Sequence, residues 1–130
     1  MNTRVTSKSL KAKTIFCDID GTILKHQGNT KMIILTQAEA LPGVVTKINE
    51  WEVNGHKIII TTARRESLRA ETEKQLQSLG IPYDSLLMGI TSGYRVLIND
   101  KTTLGDDSAF AINLQRNKGF DEIKWADLGL

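Results

Sequence analysis

Apolar residues come in short blocks along the chain, and the period within them switches between that of a strand and that of a helix. The stretch Thr14 to Thr22 opens as an apolar β-type run, Ile15, Phe16 and Cys17, and ends in a glycine-initiated turn. From Leu24 to Gln37 a Gly28-Asn29 pair is flanked by short runs, including Met32 to Leu35, which predicts a β-hairpin. Pro42 and Gly43 open a helix with Val44, Ile48 and Trp51 on one face, and Asn54-Gly55 ends it. Ile58, Ile59 and Ile60 form an uninterrupted β-branched run, the pattern of a strand covered on both faces. A second helix is predicted from about Glu66 to Leu79, with Leu68, Thr72, Leu76 and Leu79 at helical spacing and Gly80 as its C-terminal cap. Leu86 to Met88, Arg95 to Ile98 and Phe110 to Leu114 predict three more short strands. Strand and helix in repeated alternation predict an α/β fold: a three-layer parallel sheet with helices on both faces and a short β-hairpin flap after the first strand.

One hundred and thirty residues are enough for one domain with its own core. Residues 1–13 carry Arg4, Lys8, Lys11 and Lys13 without acids or an amphipathic face and are expected to be a flexible leader, with a single domain over 14–130. A formal charge of +2 with both signs interspersed shows no polyanion-binding character, and no nucleic-acid partner is expected. No apolar run approaches the roughly 18 residues that span a bilayer, so no membrane partner is expected. Cys17 is the single cysteine and has no partner for an intramolecular disulfide; between Phe16 and Asp18 it suits a core position, and a cytoplasmic setting is expected. Neither His26 nor His56 has a motif that would make Cys17 a catalytic thiol.

The chemistry concentrates where strands end, the place where parallel sheets bind ligands. Asp18 and Asp20 stand two residues apart at the end of the first run, and like charges this close oppose one another unless a cation neutralises them or a proton is shared. A divalent metal or proton transfer is implied, although Asp-Gly is also an ordinary turn pair. The second rich end is Thr61-Thr62-Ala63-Arg64 after the triple isoleucine, and the third is Asn99-Asp100-Lys101 after Val96 to Ile98. Helix capping by the threonines with solvated arginines would explain the second end without any ligand.

The run Ile-Phe-Cys-Asp-Ile-Asp-Gly-Thr, from Ile15 to Thr22, resembles the first motif of the haloacid dehalogenase (HAD) superfamily of phosphatases and phosphotransferases. The resemblance covers about Ile15 to Leu114 and implies a Rossmann-like fold and a small phosphatase with little or no cap domain. It implies that Asp18 attacks phosphorus to form an aspartyl phosphate, and that Asp20 protonates the leaving oxygen and then activates water. Thr62 matches the phosphate-binding residue of the second motif; Ala63 through its backbone N–H and Arg64 through its fork would add donors to the phosphoryl oxygens. The fourth motif is matched at Asp100, which with Asp18 and the main-chain carbonyl of Asp20 would hold Mg2+. Asp106 and Asp107 are further acids for that site, or simply a polar loop around Gly105.

The third motif departs from the family. Residues Met88 to Tyr94 hold no lysine or arginine, leaving Lys101, Arg95 or Lys74 as the cation that screens the nucleophile, with Lys101 preferred because it follows Asp100. The lack of a sizeable insertion after the first motif implies either oligomers in which a neighbouring subunit covers the site or exposed phosphates as substrates. Small relatives of similar layout act on sugar phosphates, so the expected partner is a small phosphorylated substrate such as a phosphosugar. The basic, amide-rich segment Asn113 to Gly119 follows the last predicted strand, where it can line the mouth of the site or merely connect to a tail bearing Phe120, Ile123 and Trp125. A receiver-like signalling module is disfavoured because its acids lie on different strands. A degenerate phosphate or metal binder without turnover stays open, given Asn99 and the absent lysine.

Overall fold

The structure, a computed structural model, describes residues 11–130. Three parallel strands, β1 (Thr14–Cys17), β2 (Lys57–Thr61) and β3 (Ser85–Leu87), form one open sheet in the order β1-β2-β3. Helix α1 (Thr30–Leu35) and helix α2 (Val44–Val53) lie between the first two strands in sequence; a 3-10 turn (Glu66–Leu68) leads into helix α3 (Arg69–Ser78) before β3. The architecture is α/β with an open parallel sheet, as the alternation predicts.

Register sets which side chains reach the core. Ile15 pairs with Ile58, Cys17 with Ile60, and Ile60 with Leu86, so these residues share one face, and Cys17, Ile58, Ile60 and Leu86 are buried there. The intervening Phe16 and Leu87 turn the other way and remain 54% and 46% exposed, and Ile59 is half-buried. The triple isoleucine is therefore buried in alternation rather than along its whole length. On α2 the predicted face of Val44, Ile48 and Trp51 is buried, and on α3 so are Thr72 and Leu76. Trp51 meets Phe120 and Trp125 at ring-centroid distances of 5.6 and 5.4 Å, which draws the C-terminal tail into the core. Burial of three aromatic rings in mutual contact anchors that tail far more firmly than a solvated connection would be.

The predicted hairpin is corrected. Residues 30–35 are helical because Asn29 caps them: its side-chain oxygen accepts from the Met32 N–H at 3.0 Å, so Gly28-Asn29 starts a helix instead of turning a hairpin. The stretch still leaves and returns antiparallel, through Lys25 N–H to Glu39 O and Leu41 N–H to Ile23 O, both at 2.9 Å, which makes a flap tipped by α1. The strands predicted at Arg95 to Ile98 and Phe110 to Leu114 are irregular, because their backbones find no ladder partner; Val96 and Ile98 are 78% and 88% exposed. The predicted Glu66-to-Leu79 helix opens as a 3-10 turn, and Gly80 lies beyond its end at φ +71°. Most of the expected 1–13 leader lies outside the described residues; Lys13 donates its N–H to His56 Nδ1 and its ammonium to Gly129 O.

Candidate active site

The turn after β1 is tightly built. Main-chain bonds from Thr22, Ile23 and Leu24 converge on the Ile19 carbonyl, and Gly21 takes φ +84°, a conformation that suits glycine. This turn points Asp18 and Asp20 into one cleft of about 380 Å³ while Ile19 is fully buried beneath them. The two acids then have different partners. Asp18 accepts from the Thr22 hydroxyl at 3.2 Å through Oδ2 and faces Arg95 Nη2 at 3.4 Å through Oδ1. Asp20 is gripped by the Arg64 fork, Nε to Oδ2 at 2.9 Å and Nη2 to Oδ1 at 2.8 Å.

Arg64 is thus placed differently from the expectation that it binds phosphate. Its side chain is 2% exposed, and its remaining donors go to Thr72 Oγ1 (3.1 Å), Gln75 Oε1 (2.8 Å) and Gln27 Oε1 (3.4 Å). With every arm of the guanidinium occupied, it orients Asp20 instead of reaching a phosphoryl group. Each carboxylate oxygen of Asp20 gives one lone pair to the fork and keeps another, so the acid can still exchange a proton on its cleft side. Gln75 also donates to the Ile33 carbonyl of α1 at 3.1 Å, and Gln27 donates to Thr36, so the same network pins the flap.

Thr62 and Ala63 line the cleft. Thr62 is 1% exposed and accepts the Arg64 N–H at 3.0 Å, which fixes its hydroxyl at the strand end. Of the two threonines it is Thr62, not Thr61, that reaches the cleft. Cys17 sits behind the acids, with its thiol pushed up to about 12 by burial and by the Asp18 carboxylate, which keeps it protonated and unreactive at neutral pH.

The fourth-motif residues stay away. Asp100 is exposed and does not line the cleft; Lys101 is exposed and pairs with Asp107 at 3.1 Å; Lys74 is exposed on α3. Thr102 donates its N–H to Asp106 O and accepts the Asp106 N–H on its hydroxyl around Gly105, the polar-loop arrangement. Without a strand at Arg95 to Ile98, nothing carries Asp100 to the sheet end. Among the three candidate cations, Arg95 is the one that reaches Asp18. A magnesium ion wants six oxygens in near-octahedral array. Among the described residues no group of three His, Cys, Asp or Glu could hold a metal, and with Asp100 outside the cleft only Asp18 and Asp20 of the expected magnesium set stand at the end of β1.

Two residues that the strand-end reading left open between site and linker, Leu114 and Arg116, line the cleft, as does His26, which no motif had singled out. A family model described as HAD superfamily, subfamily IIIB (acid phosphatase), matches residues 1–99. The chain belongs to that family. Two solved structures are also similar to this HAD-family chain. "Structure of the Pnkp1/Rnl/Hen1 RNA repair complex" matches at 28% identity and TM-score 0.51, covering 65% of this chain and 28% of that one. "Structure of Pnkp1/Rnl/Hen1 complex" matches at 29% identity and TM-score 0.52, covering 65% and 30%. The HAD chain therefore spans under a third of the length of those chains. No similar sequence was found among curated proteins. Among the described residues no helix is long and apolar enough to cross a membrane.

Proposed function

We propose that this HAD-family chain hydrolyses phosphate monoesters through an aspartyl phosphate on Asp18. The observation that carries the reading is the unequal pair: two carboxylates open on one cleft, one of them locked by a buried arginine and the other facing Arg95. In the first step an Asp18 oxygen bonds to phosphorus as the ester P–O bond breaks, and Asp20, having taken up a proton from solvent on its free cleft-side lone pair, passes it to the departing oxygen. In the second, Asp20 takes a proton from water, the water oxygen bonds to phosphorus, and the P–O bond to Asp18 breaks to release inorganic phosphate. Arg95 offsets the charge gathering on the phosphoryl oxygens, and the Thr62 hydroxyl and Ala63 N–H supply donors at the strand end. Magnesium enters this reading from the family, where it would lower the charge on the phosphoryl group; the side-chain steps are complete without it.

A phosphosugar or similar small phosphate is the substrate class proposed, because the cleft, about 380 Å³, is of small-ligand size. A phosphorylated nucleic-acid end is the second reading, favoured by the similarity to complexes described as RNA repair. Hydrolysis of an aryl phosphate with magnesium and with chelator, in the wild type and in Asp18→Asn and Asp20→Asn, tests the proposal. Turnover lost in both variants supports it, and the chelator arm reads whether magnesium takes part. Phosphate binding without turnover replaces it with a degenerate binder, a result that the position of Asp100 outside the cleft would then explain.

A further inference from the structure

The cleft holds more cationic chemistry than one phosphoryl group uses. Arg64 is spent on Asp20 and Arg95 faces Asp18, yet Arg116 also lines the cleft, and among the described residues its guanidinium has no acidic or hydrogen-bonded partner. Its position is built, not incidental. Asn117 takes φ +63°, rare for a residue with a side chain, and donates its N–H to Gly21 O at 2.8 Å while its Oδ1 accepts the His26 N–H at 3.0 Å. One strained residue therefore ties the C-terminal segment both to the turn between the acids and the flap and to the start of the flap itself. The aliphatic stem of Arg116 lies over Gly21, with its Cγ 3.0 Å from where a Cβ would stand, so the glycine leaves the space that admits it.

His26 completes the arrangement. Its Nδ1 accepts the Gly28 N–H at 3.0 Å, so the proton of the neutral ring sits on Nε2, and the ring lines the same cleft. A donor on His26 and, among the described residues, an unpaired planar fork on Arg116 line the same cleft as the two acids. A volume of about 380 Å³ is in the range that accepts a small ligand and exceeds what a lone phosphoryl group occupies.

We infer that Arg116, with His26, forms a second anion subsite that selects substrates bearing another phosphate besides the one hydrolysed. The inference rests on the proposed phosphatase reading for the identity of the first group. A guanidinium fork matches two oxygens of a phosphate, and such a charge-assisted pair favours a substrate that carries the second group over one that lacks it. Two sources present this chemistry: a sugar bisphosphate, and a phosphorylated dinucleotide whose internal diester is the second phosphate.

Both are tested by kinetics and by binding. In the wild type, kcat/KM for a sugar bisphosphate and for a 3′-phosphorylated dinucleotide is compared with that for the matching monophosphates; in Asp18→Asn protein, calorimetry gives the Kd of the same four compounds. At least one second-phosphate compound is preferred tenfold or more, and Arg116→Gln brings that preference down to within threefold of unity, with Arg116→Lys between the two. The preferred arm identifies the source. Equal Kd values with and without the second phosphate, or a preference that Arg116→Gln leaves intact, overturns the subsite. Because the calorimetric arm does not need turnover, loss of the phosphatase reading and loss of the subsite give different results. Thermal melting of Arg116→Gln checks that the exposed substitution leaves the fold in place.

Discussion

Replacing Arg64 by Met isolates what the buried guanidinium contributes, since methionine keeps most of the aliphatic stem and removes only the charged fork. The change strands four partners at once: the Asp20 carboxylate, the Thr72 hydroxyl, which is fully buried, and the Gln75 and Gln27 amides. Breaking a buried ion pair by removing one partner costs about 3–5 kcal/mol when the other charge stays dry. Asp20 is 20% exposed at its side chain, so water relieves part of this, and a loss of about 2–4 kcal/mol is expected. Asp20→Asn leaves the guanidinium, 2% exposed, facing a neutral amide and costs about 2–3 kcal/mol. The double variant loses less than the two costs summed, by about 1–3 kcal/mol, because the second substitution removes a charge already without its partner. Urea unfolding of all four proteins followed by circular dichroism at neutral pH closes this cycle. Costs that add to within about 0.5 kcal/mol would mean that Arg64 and Asp20 do not hold each other, and the orienting role would fall with that result.

Arg95→Ala lowers kcat/KM for an aryl phosphate by about 100-fold or more, the scale of one lost transition-state charge contact, and lowers it more than Lys101→Ala does; the reverse order would return the screening role to Lys101. Gly119→Ala places a Cβ 2.5 Å from the Pro42 carbonyl oxygen at φ +81°, so it destabilises by about 2 kcal/mol or more, read as a fall of several degrees in Tm. His56 is held below its ordinary value of 6.5 by burial and then by the Lys13 charge, with Nδ1 accepting the Lys13 N–H. The folded state therefore binds fewer protons than the unfolded one as pH falls through 6.5, so this contribution is complete above that pH and lost toward the lowered folded pKa. The difference in stability between wild type and His56→Gln should change across that window and be constant above it.

The parts of this fold that local pattern specifies were legible in the residues. Val44, Ile48 and Trp51 recur at helical spacing and are buried on α2, and the β-branched run over Ile58 to Ile60 forms β2. The acid pair and Thr62 stand at strand ends, where chain direction alone brings them to one cleft. What was not legible depends on partners distant in sequence. Gly28-Asn29 suits a hairpin turn or a helix cap equally well, and the Met32 N–H decides between them. The apolar runs at Arg95 to Ile98 and Phe110 to Leu114 have strand composition, but composition cannot supply a neighbouring ladder. Arg64 beside Thr62 reads as a phosphate ligand because sequence gives no sign that the Asp20, Thr72 and Gln75 side chains converge on it. Arg116 lies nearly a hundred residues from Asp18, and the bonds of Asn117 to Gly21 and His26 help bring the two together.

The central claim is that Asp18 carries the phosphoryl group. Acid quenching of the protein during turnover of an aryl phosphate, followed by proteolysis and mass spectrometry, reads this directly. The account predicts a phosphorylated peptide with the group on Asp18, more abundant in Asp20→Asn if that variant forms the intermediate faster than it hydrolyses it, and absent in Asp18→Asn. Turnover that proceeds with no phosphopeptide at Asp18, or that survives in Asp18→Asn, would contradict it.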